Sequence, residues 1–502
     1  VMNDWVDIAV SLIPKVRTPT RVQEWRPLAM TSCLQKLFLS VVIHLVECVA
    51  VPVESVHCGF RAGHQRAEVS AAVRLGLRKG MECGTDFHVL KVDVLRAFDH
   101  MKHDEIAIAL QEAHTHPALV FAILQELHRC SVTLNYQGCS WSGIPFLKGG
   151  RQGGCDTPAL WVRVLNRAVA RARKLWADEN LGARFGTRGD PDFVCLDALI
   201  WADDMVICAN SEVGVLRMME ILTLELQNIG LTWKPSSFEM IRSGNDWVGA
   251  QRTWTLGGSS YNIALVNKMN LLGICMSNNG SDEAAVGYRI SQGWVHFLSR
   301  KSTLCNPKIP LVLRVGRLRD TVFRTILHGC GAWCAKDSIR AMLRTAENKF
   351  LKLMLCRTQR ADEIDADFQI KSQHTVNEIK ILFDWAPLEQ QVLFRHLTWM
   401  GHVARSPPSS FLALIYGWRS DGKAQISGTK RAIQGRPKIG VETLLLNNLG
   451  PFWPELAADR KAWREVARVM HIAHLPCAHS SLWHHRFLSH ISNKQQEFSC
   501  HL

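Results

Sequence analysis

An α/β or α+β body followed by a mostly helical extension is the fold class the sequence predicts, on three observations. Strand and helix signals alternate from about residue 20 to 300. From about 300 to 400 the apolar spacing turns helical. Between 406 and 440 the chain becomes rich in Pro, Gly and Ser, and Gly422 to Gly440 holds Lys423, Lys430, Arg431, Arg436 and Lys438 with no acidic residue. That stretch reads as a basic linker over 406–449. The segment 450–502, rich in Trp and His, predicts a helix around Asp459–Met470.

A chain of 502 residues allows roughly three domains and a sizeable core. With 47% hydrophobic and 21% charged residues it is globular and not disordered. Lys and Arg total 59 against 45 Asp and Glu, and the resulting +14 points to a polyanionic partner, nucleic acid or an anionic membrane surface. The best candidate for a membrane span, Leu37 to Val53, carries His44, Glu47 and Pro52 and reads better as a buried helix. The first residue is Val1 and no signal peptide precedes it, which leaves room for missing N-terminal domains. Sixteen Cys without regular pairing read as reduced thiols of an intracellular protein.

The chemistry-bearing elements come in order. Phe87 to Val94 has strand character, and period two puts Leu90, Val92 and Val94 on one face and Val89, Lys91 and Asp93 on the other. Asp93 then faces a cleft, or merely ends the strand and caps the helix begun by Arg96-Ala97-Phe98-Asp99. Gly149 to Pro158 is glycine-rich, so its backbone can approach a ligand closely, with Thr157 as N-cap and Pro158 opening a helix. That helix puts Leu160, Val164, Ala168, Ala172 and Leu175 on one stripe and Arg163, Arg167, Arg171 and Lys174 on another. The basic stripe is either a solvated face or a face that tracks phosphates. Ala198 to Cys208 reads as a β-hairpin with Asp203 and Asp204 at its turn. Two adjacent carboxylates in an apolar frame repel, and a divalent cation removes that cost. With Asp93 they could bind two Mg²⁺ ions about 3.5–4 Å apart, the geometry of in-line phosphoryl transfer.

In this order the motifs resemble the reverse transcriptase of a LINE-type (non-LTR) retrotransposon. Leu12-Ile13-Pro14-Lys15 with Trp25-Arg26-Pro27-Leu28 resembles the entry to the fingers, and Gly59-Phe60-Arg61-Ala62-Gly63 the "GFRxG" block. Lys91 to Asp99 resembles motif A, Gly150-Arg151-Gln152-Gly153 through Pro158 motif B, and Trp201-Ala202-Asp203-Asp204 motif C. Gly230-Leu231 through Glu239 is similar to motif D, and Leu271-Leu272-Gly273 to the primer grip. Downstream, His328 to Trp333, His396 to Val403 and Gly435-Arg436-Pro437-Lys438 resemble further blocks of this family, to which no chemistry attaches.

The resemblance implies an α+β right-hand polymerase with a mostly helical C-terminal extension. It implies fingers over 1–85, palm with remaining finger insertions over 86–285 (the reverse transcriptase domain about 10–280), thumb and helical connection over 286–405, the linker 406–449 and a helical segment 450–502. The implied activity is RNA-directed DNA polymerisation with an RNA template, a DNA primer, dNTPs and two Mg²⁺ ions (Mn²⁺ as an alternative), without membrane attachment, inside the cell and in the nucleus. Asp93, Asp203 and Asp204 would be catalytic and, with the carbonyl of Val94, ligate metal. Phe98 would exclude a ribose 2′-OH, and Arg151, Gln152, Gly153, Arg26, Arg61 and Lys234 would meet substrate. Arg163, Arg167, Arg171, Leu272 and Gly273 would meet nucleic acid.

The sequence departs from the family at three places. Trp201 replaces Phe, Gly154-Cys155-Asp156 adds a charge expected beside the dNTP pocket, and the motif D lysine falls on Ser237, with Lys234 as substitute. No endonuclease or ribonuclease H signature is visible, so the endonuclease is expected to be separate or missing. The alternative function is a catalytically inactive, basic nucleic-acid-binding remnant; the intact carboxylate triad speaks for the active enzyme. Cys477, His479, His484 and His485, with Cys500-His501, match no closed zinc set and read as a polar helix end.

Overall fold

The computed structural model describes residues 5–473 apart from 186–193, 245–246, 248, 334–335, 357–358, 360–362, 408–409, 418–444, 446–447 and 451–452. Most of the expected basic linker, the Gly435–Lys438 block and the Cys477–His501 cluster lie outside the described residues. In chain order the elements begin with β1 (Asp7–Pro14), β2 (Trp25–Met30), α1 (Cys33–Val49), α2 (Arg66–Cys83), β3 (His88–Asp93) and α3 (Ala97–His100). Next come α4 (His103–Glu112), α5 (Pro117–His128), β4 (Ser131–Tyr136), β5 (Cys139–Pro145) and α6 (Thr157–Asp178). Then follow β6 (Ala183–Phe185), β7 (Val194–Leu196), β8 (Ala198–Trp201), β9 (Asp204–Ala209), α7 (Glu212–Asn228), β10 (Glu239–Arg242), β11 (Gln251–Leu256) and β12 (Ser259–Leu265). The described residues divide into two compact units, one within Val1–Val69 and Lys79–Met269, the other of Ser70–Arg78 and the described residues from Asn270 onward.

The first unit holds two sheets. One runs β2-β1-β4-β5, with β1 antiparallel to β2 and parallel to β4. The other runs β11-β12-β10-β3-β9-β8, so β3 lies between β10 and β9. Its core is the predicted face: Leu90, Val92 and Val94 are buried with Met205 and Ile207 under α6 and α7. Local signals set the helix starts. The Ser32 hydroxyl accepts from Gln35 N–H at 3.1 Å and opens α1; the Ser211 hydroxyl accepts from Gly214 N–H at 3.0 Å and opens α7. Glu68 closes a capping box on Gln65, and Gly84, at φ +66°, ends α2.

Two readings change here. The helix seen in Leu37–Val53 is α1, but it is buried on one side only. Leu37, Val41, Leu45 and Val49 remain 46–63% exposed, because apolar residues extend beyond the face on which Leu39, Val42 and Val46 reach the core, beside a polar stripe of Lys36, Ser40, His44 and Glu47. The N-cap of α6 is Asp156, one residue before the expected Thr157; the Thr157 hydroxyl instead donates to the Arg151 carbonyl at 2.9 Å.

The second unit is helical, as expected from residue 300 on. After the β13 (Lys268–Leu271) and β14 (Ile274–Ser277) pair come α8 (Asp282–Leu298), α9 (Lys301–Leu304), α10 (Leu311–Arg317), a π-helical stretch Leu318–Phe323 and α11 (Arg324–Ile326). Helices α12 (Asp337–Leu355), α13 (Asp365–Leu382), α14 (Leu388–Ala404), α15 (Phe411–Gly417), α16 (Trp453–Ala458) and α17 (Arg460–Ala473) follow. Its core gathers Phe297, Phe323, Trp333, Phe350 and Leu388. The downstream blocks are packing devices here. His396 on α14 hydrogen-bonds through Nδ1 to the Gly331 carbonyl at 2.7 Å, and Gly401 leaves room for the Trp463 ring, whose Nε1 donates to the Leu397 carbonyl at 2.9 Å. No helix of the described residues is long and apolar enough to cross a membrane, and no disulfide is formed among the described residues.

Candidate active site

Strands β3 and β9 run antiparallel with Asp93 opposite Asp204, and β8 and β9 form a hairpin with Trp201 opposite Asp204. Two residues turn that hairpin, Ala202 and Asp203. Ala202 has φ +62°, the left-handed region that a tight hairpin demands and that alanine adopts at a cost. Two neighbours hold it there. Trp161 on α6 donates through Nε1 to the Ala202 carbonyl at 2.9 Å, and Gly59 lies so close that a Cβ on it would stand 3.1 Å from Trp201 Cα. Gly59 reaches this place because Cys58 and Gly59 N–H both donate to the Ile200 carbonyl, at 2.9 and 3.2 Å.

The carboxylates are crowded. Asp93 and Asp204 are within hydrogen-bonding reach of each other; burial first, then this contact and the charges of Asp93 and Asp203, push the Asp204 carboxyl up to about 7. Burial and the Asp93 charge also raise Asp203, against the opposing pull of Lys234 and Arg26. The Oδ1 of Asp93 is buried without a hydrogen-bond partner among the described residues. Three crowded carboxylates, one with a stranded acceptor and two, Asp203 and Asp204, made weaker acids by burial and mutual repulsion, suit a divalent, oxygen-seeking cation. The backbone is tied just as closely: Val94 N–H donates to the Asp203 carbonyl at 3.3 Å, and Lys234 N–H to the Asp93 carbonyl at 2.9 Å.

Ser237 resolves one departure. Its hydroxyl accepts from Asp93 N–H at 2.9 Å and donates to the Lys234 carbonyl at 2.7 Å, which fixes the end of β3 against the loop that carries Lys234. Lys234 Nζ then stands 3.0 Å from Asp93 Oδ2. Phe98 is half-buried, its ring 6.1 Å from Phe60 and 5.8 Å from Trp161. Gln152 donates to Asp99 Oδ1 at 2.7 Å while its carbonyl accepts from Ala29 N–H at 2.7 Å. Gly153 is exposed at φ +102° against Leu28 and Ala29. Arg26 is exposed, and its charge acts on Asp203.

Within the first unit, other expected contacts are taken up away from this cleft. Arg151 is 2% exposed and donates to Asp156 Oδ2 at 2.7 Å, so the added charge of Asp156 is neutralised inside the loop and neither group lines a pocket. Arg61 donates to the carbonyls of His57 and Glu54, at 2.9 and 3.4 Å, within its own turn. The basic stripe of α6 is split: Arg163 and Arg167 are covered and paired, whereas Arg171 is paired but 47% exposed and Lys174 is exposed. Arg163 pairs with Glu47 at 3.0 Å, Arg167 with Glu105 and, at 2.8 Å, with Glu112, and Arg171 with Glu112 at 3.2 Å. The partner acids sit on α1 and α4, so the Arg163–Arg167 part of the stripe is a packing surface. Leu272 and Gly273, at φ +51° and +80°, make the β13–β14 turn in the second unit, with the Leu272 carbonyl 3.4 Å from His328 Nε2. Gly59, Trp161 and Ser237 were not singled out as site residues from the sequence. The tight spacing of Gly59-Phe60-Arg61 hinted at the first; nothing local marks the second.

Residues 13–254 match the family described as reverse transcriptase (RNA-dependent DNA polymerase). The chain carries a reverse transcriptase domain. Among curated relatives it is 24% identical over 214 residues to a retrovirus-related Pol polyprotein from the type-1 retrotransposable element R2 of Popillia japonica, over 42% of this chain and 29% of that one. It is 24% identical over 221 residues to the corresponding type-2 R2DM polyprotein of Drosophila melanogaster, over 44% and 20%. A transposon-derived protein of Caenorhabditis elegans is 22% identical over 287 residues, 54% of this chain and 95% of that one. The chain thus spans less than a third of either R2 polyprotein it matches. Among solved structures, telomerase of Candida tropicalis with a fragment of telomeric RNA is similar at a TM-score of 0.40 and 11% identity, over 84% of this chain and 65% of that one. Over the matched residues the domain is similar to those of the R2 retrotransposable elements, and the described fold is α+β with a helical C-terminal region.

Proposed function

We propose that this chain is an RNA-directed DNA polymerase of a non-LTR retroelement, extending a DNA primer on an RNA template with dNTPs, inside the nucleus. One observation supports it above the rest: Asp93 faces Asp204 across β3 and β9 with Asp203 at the adjoining turn, inside the matched domain. Asp93 and Asp203 would hold two divalent cations, Mg²⁺ by the all-oxygen donor set, with Asp204 and the Val94 carbonyl in support. Such ions lower the pKa of the primer hydroxyl and neutralise the leaving pyrophosphate.

The protein's own groups supply positioning. Gly59 and Trp161 clamp the turn, so Asp203 is presented without searching. Ser237 holds Asp93 and places Lys234 beside it, where the ammonium can balance the carboxylates or donate a proton to the leaving group. Phe98 offers an aromatic floor on which a deoxyribose fits and a 2′-OH clashes. Gln152 and Gly153 line the nucleotide's approach, Arg26 meets its phosphates, and the Leu272–Gly273 turn supports the primer strand. The test is primer extension on an RNA template with Mg²⁺. Asp203→Asn should lower the rate on the order of 10³-fold, several kcal/mol of barrier, with the protein still folded. Equal rates for the two proteins would overturn the reading, as would extension by neither.

A further inference from the structure

Outside the carboxylate site, one cluster of mixed ligand atoms stands out in the first unit. Cys58, His64 and Glu68 bring one donor atom each to within 4.8 Å of one another. Two separate elements carry them. Cys58 is on the segment hydrogen-bonded to the Ile200 carbonyl of β8, whereas Glu68 sits in the first turn of α2, with His64 just before it. The carboxylate is oriented by its capping role: Glu68 Oε1 accepts from Gln65 N–H at 2.7 Å, and Oε2 is 2.8 Å from His64 Nδ1. Cys58 is 4% exposed and its thiol has only a long contact, 3.8 Å, to the Val56 carbonyl. Glu68 is 7% exposed, while the His64 side chain keeps 27% exposure and gives the cluster its opening.

Helix capping accounts for one oxygen of Glu68 and for the His64 contact. It gives no reason for a thiol at the same point. A thiolate, an imidazole and a carboxylate together are a donor set for a borderline-soft cation; Mg²⁺ and Ca²⁺ take oxygen ligands and keep away from sulfur. Zinc bonds of about 2.0–2.3 Å in tetrahedral array need donors about 3.5 Å apart. The three donors lie within 4.8 Å of one another, with His64 and Glu68 at 2.8 Å, so an ion asks for shifts of no more than about 1 Å, and His64, on the loop after Gly63 at φ +84°, is placed to make them. Three protein ligands leave one position for water.

We propose that Cys58, His64 and Glu68 form a Zn²⁺ site, distinct from the Asp93, Asp203 and Asp204 cluster and independent of the polymerase reading. The ion would tie the start of α2 to the segment lying on β8. The next residue along that segment is Gly59, which bears on Ala202, so the ion acts by positioning the turn and touches no substrate.

The test uses the full chain, stripped with a chelator and titrated with Co²⁺ in the presence of excess Mg²⁺. Cobalt at this site should show a thiolate charge-transfer band and the strong visible bands of a tetrahedral ion, and Zn²⁺ should bleach both at one equivalent. Cys58→Ser should abolish the charge-transfer band. His64→Gln, at a half-open position that leaves the Glu68 cap intact, should fold normally by circular dichroism and bind at least about 10-fold more weakly. Asp203→Asn should bind Co²⁺ as the wild type does. Absence of the band in the wild type overturns the proposal. So does a band that survives Cys58→Ser, which would come from another of the sixteen cysteines, or His64→Gln binding with unchanged affinity.

Discussion

Gly59→Ala tests how the catalytic turn is held. The added methyl would lie 3.1 Å from both Trp201 Cα and C, and nearer still to the Ala202 nitrogen. Backbone atoms cannot swing aside as side-chain ends do. Ala202 is also caught from the other flank, by the 2.9 Å bond from Trp161 Nε1 to its carbonyl. Regaining a carbon contact of about 3.5 Å therefore moves either the turn or the Cys58–Gly59 segment by about 1 Å. A 1 Å error in a reacting group costs on the order of 10²-fold in rate, or about 2.7 kcal/mol, and overpacking removes about 1–3 kcal/mol of stability. Single-nucleotide primer extension on an RNA template, with kcat and KM separated, reads the first; thermal melting reads the second. The loss should fall mainly on kcat. Gly316→Ala in α10 serves as control, since nothing lies within 4 Å of its added methyl. It should leave the rate unchanged and raise stability by up to about 1 kcal/mol. A Gly59→Ala protein within threefold of the wild-type rate would refute the clamp, even if its melting temperature dropped.

Three further outcomes follow from the same geometry. Because Asp204 is lifted to about 7, the folded chain holds an extra proton there above the ordinary carboxylate range; the contribution of this carboxyl to metal-free stability should be complete below about pH 4 and be lost as pH rises through 7. Asp204→Asn should abolish that fall, melting with the wild type near pH 4 but later at pH 8, by on the order of 1–3 kcal/mol; coincident melting at pH 8 would count against the crowding. Arg163→Gln should cost about 1–3 kcal/mol and leave the salt dependence of RNA–DNA binding unchanged, whereas a phosphate contact would flatten the slope by roughly 0.7–0.9. Phe98→Ala should raise the use of ribonucleotides relative to deoxyribonucleotides, beside a stability loss of about 2–4 kcal/mol; an equal loss on both would return Phe98 to a purely packing role between Phe60 and Trp161.

What the sequence disclosed was periodic or local. The alternation about Asp93 and the apolar runs flanking Asp203 identify the two strands and the turn, because a buried strand must be apolar on its core face and a tight turn favours short polar residues. Partnership across long separations stayed hidden. The arginines of α6 have the spacing of a solvated or phosphate-tracking stripe, and only the fold shows that Glu47, Glu105 and Glu112, 55 to 116 residues away, occupy them. Gly59 offered a motif but no hint that its missing Cβ leaves space for another strand's turn. Ser237 looked like a lost lysine; in the structure it is the hydroxyl that ties Asp93 to Lys234.

The Arg151–Asp156 pair constrains how this loop can change over generations. Losing Asp156 alone strands a guanidinium with 2% exposure, and losing Arg151 alone strands a carboxylate with none. Either break costs about 3–5 kcal/mol, whereas replacing both by apolar groups of similar volume is close to neutral. A lineage moving between this charged loop and an uncharged one must therefore cross an unstable single-step ancestor. Chains that carry an acid at the position of Asp156 should also carry Arg151.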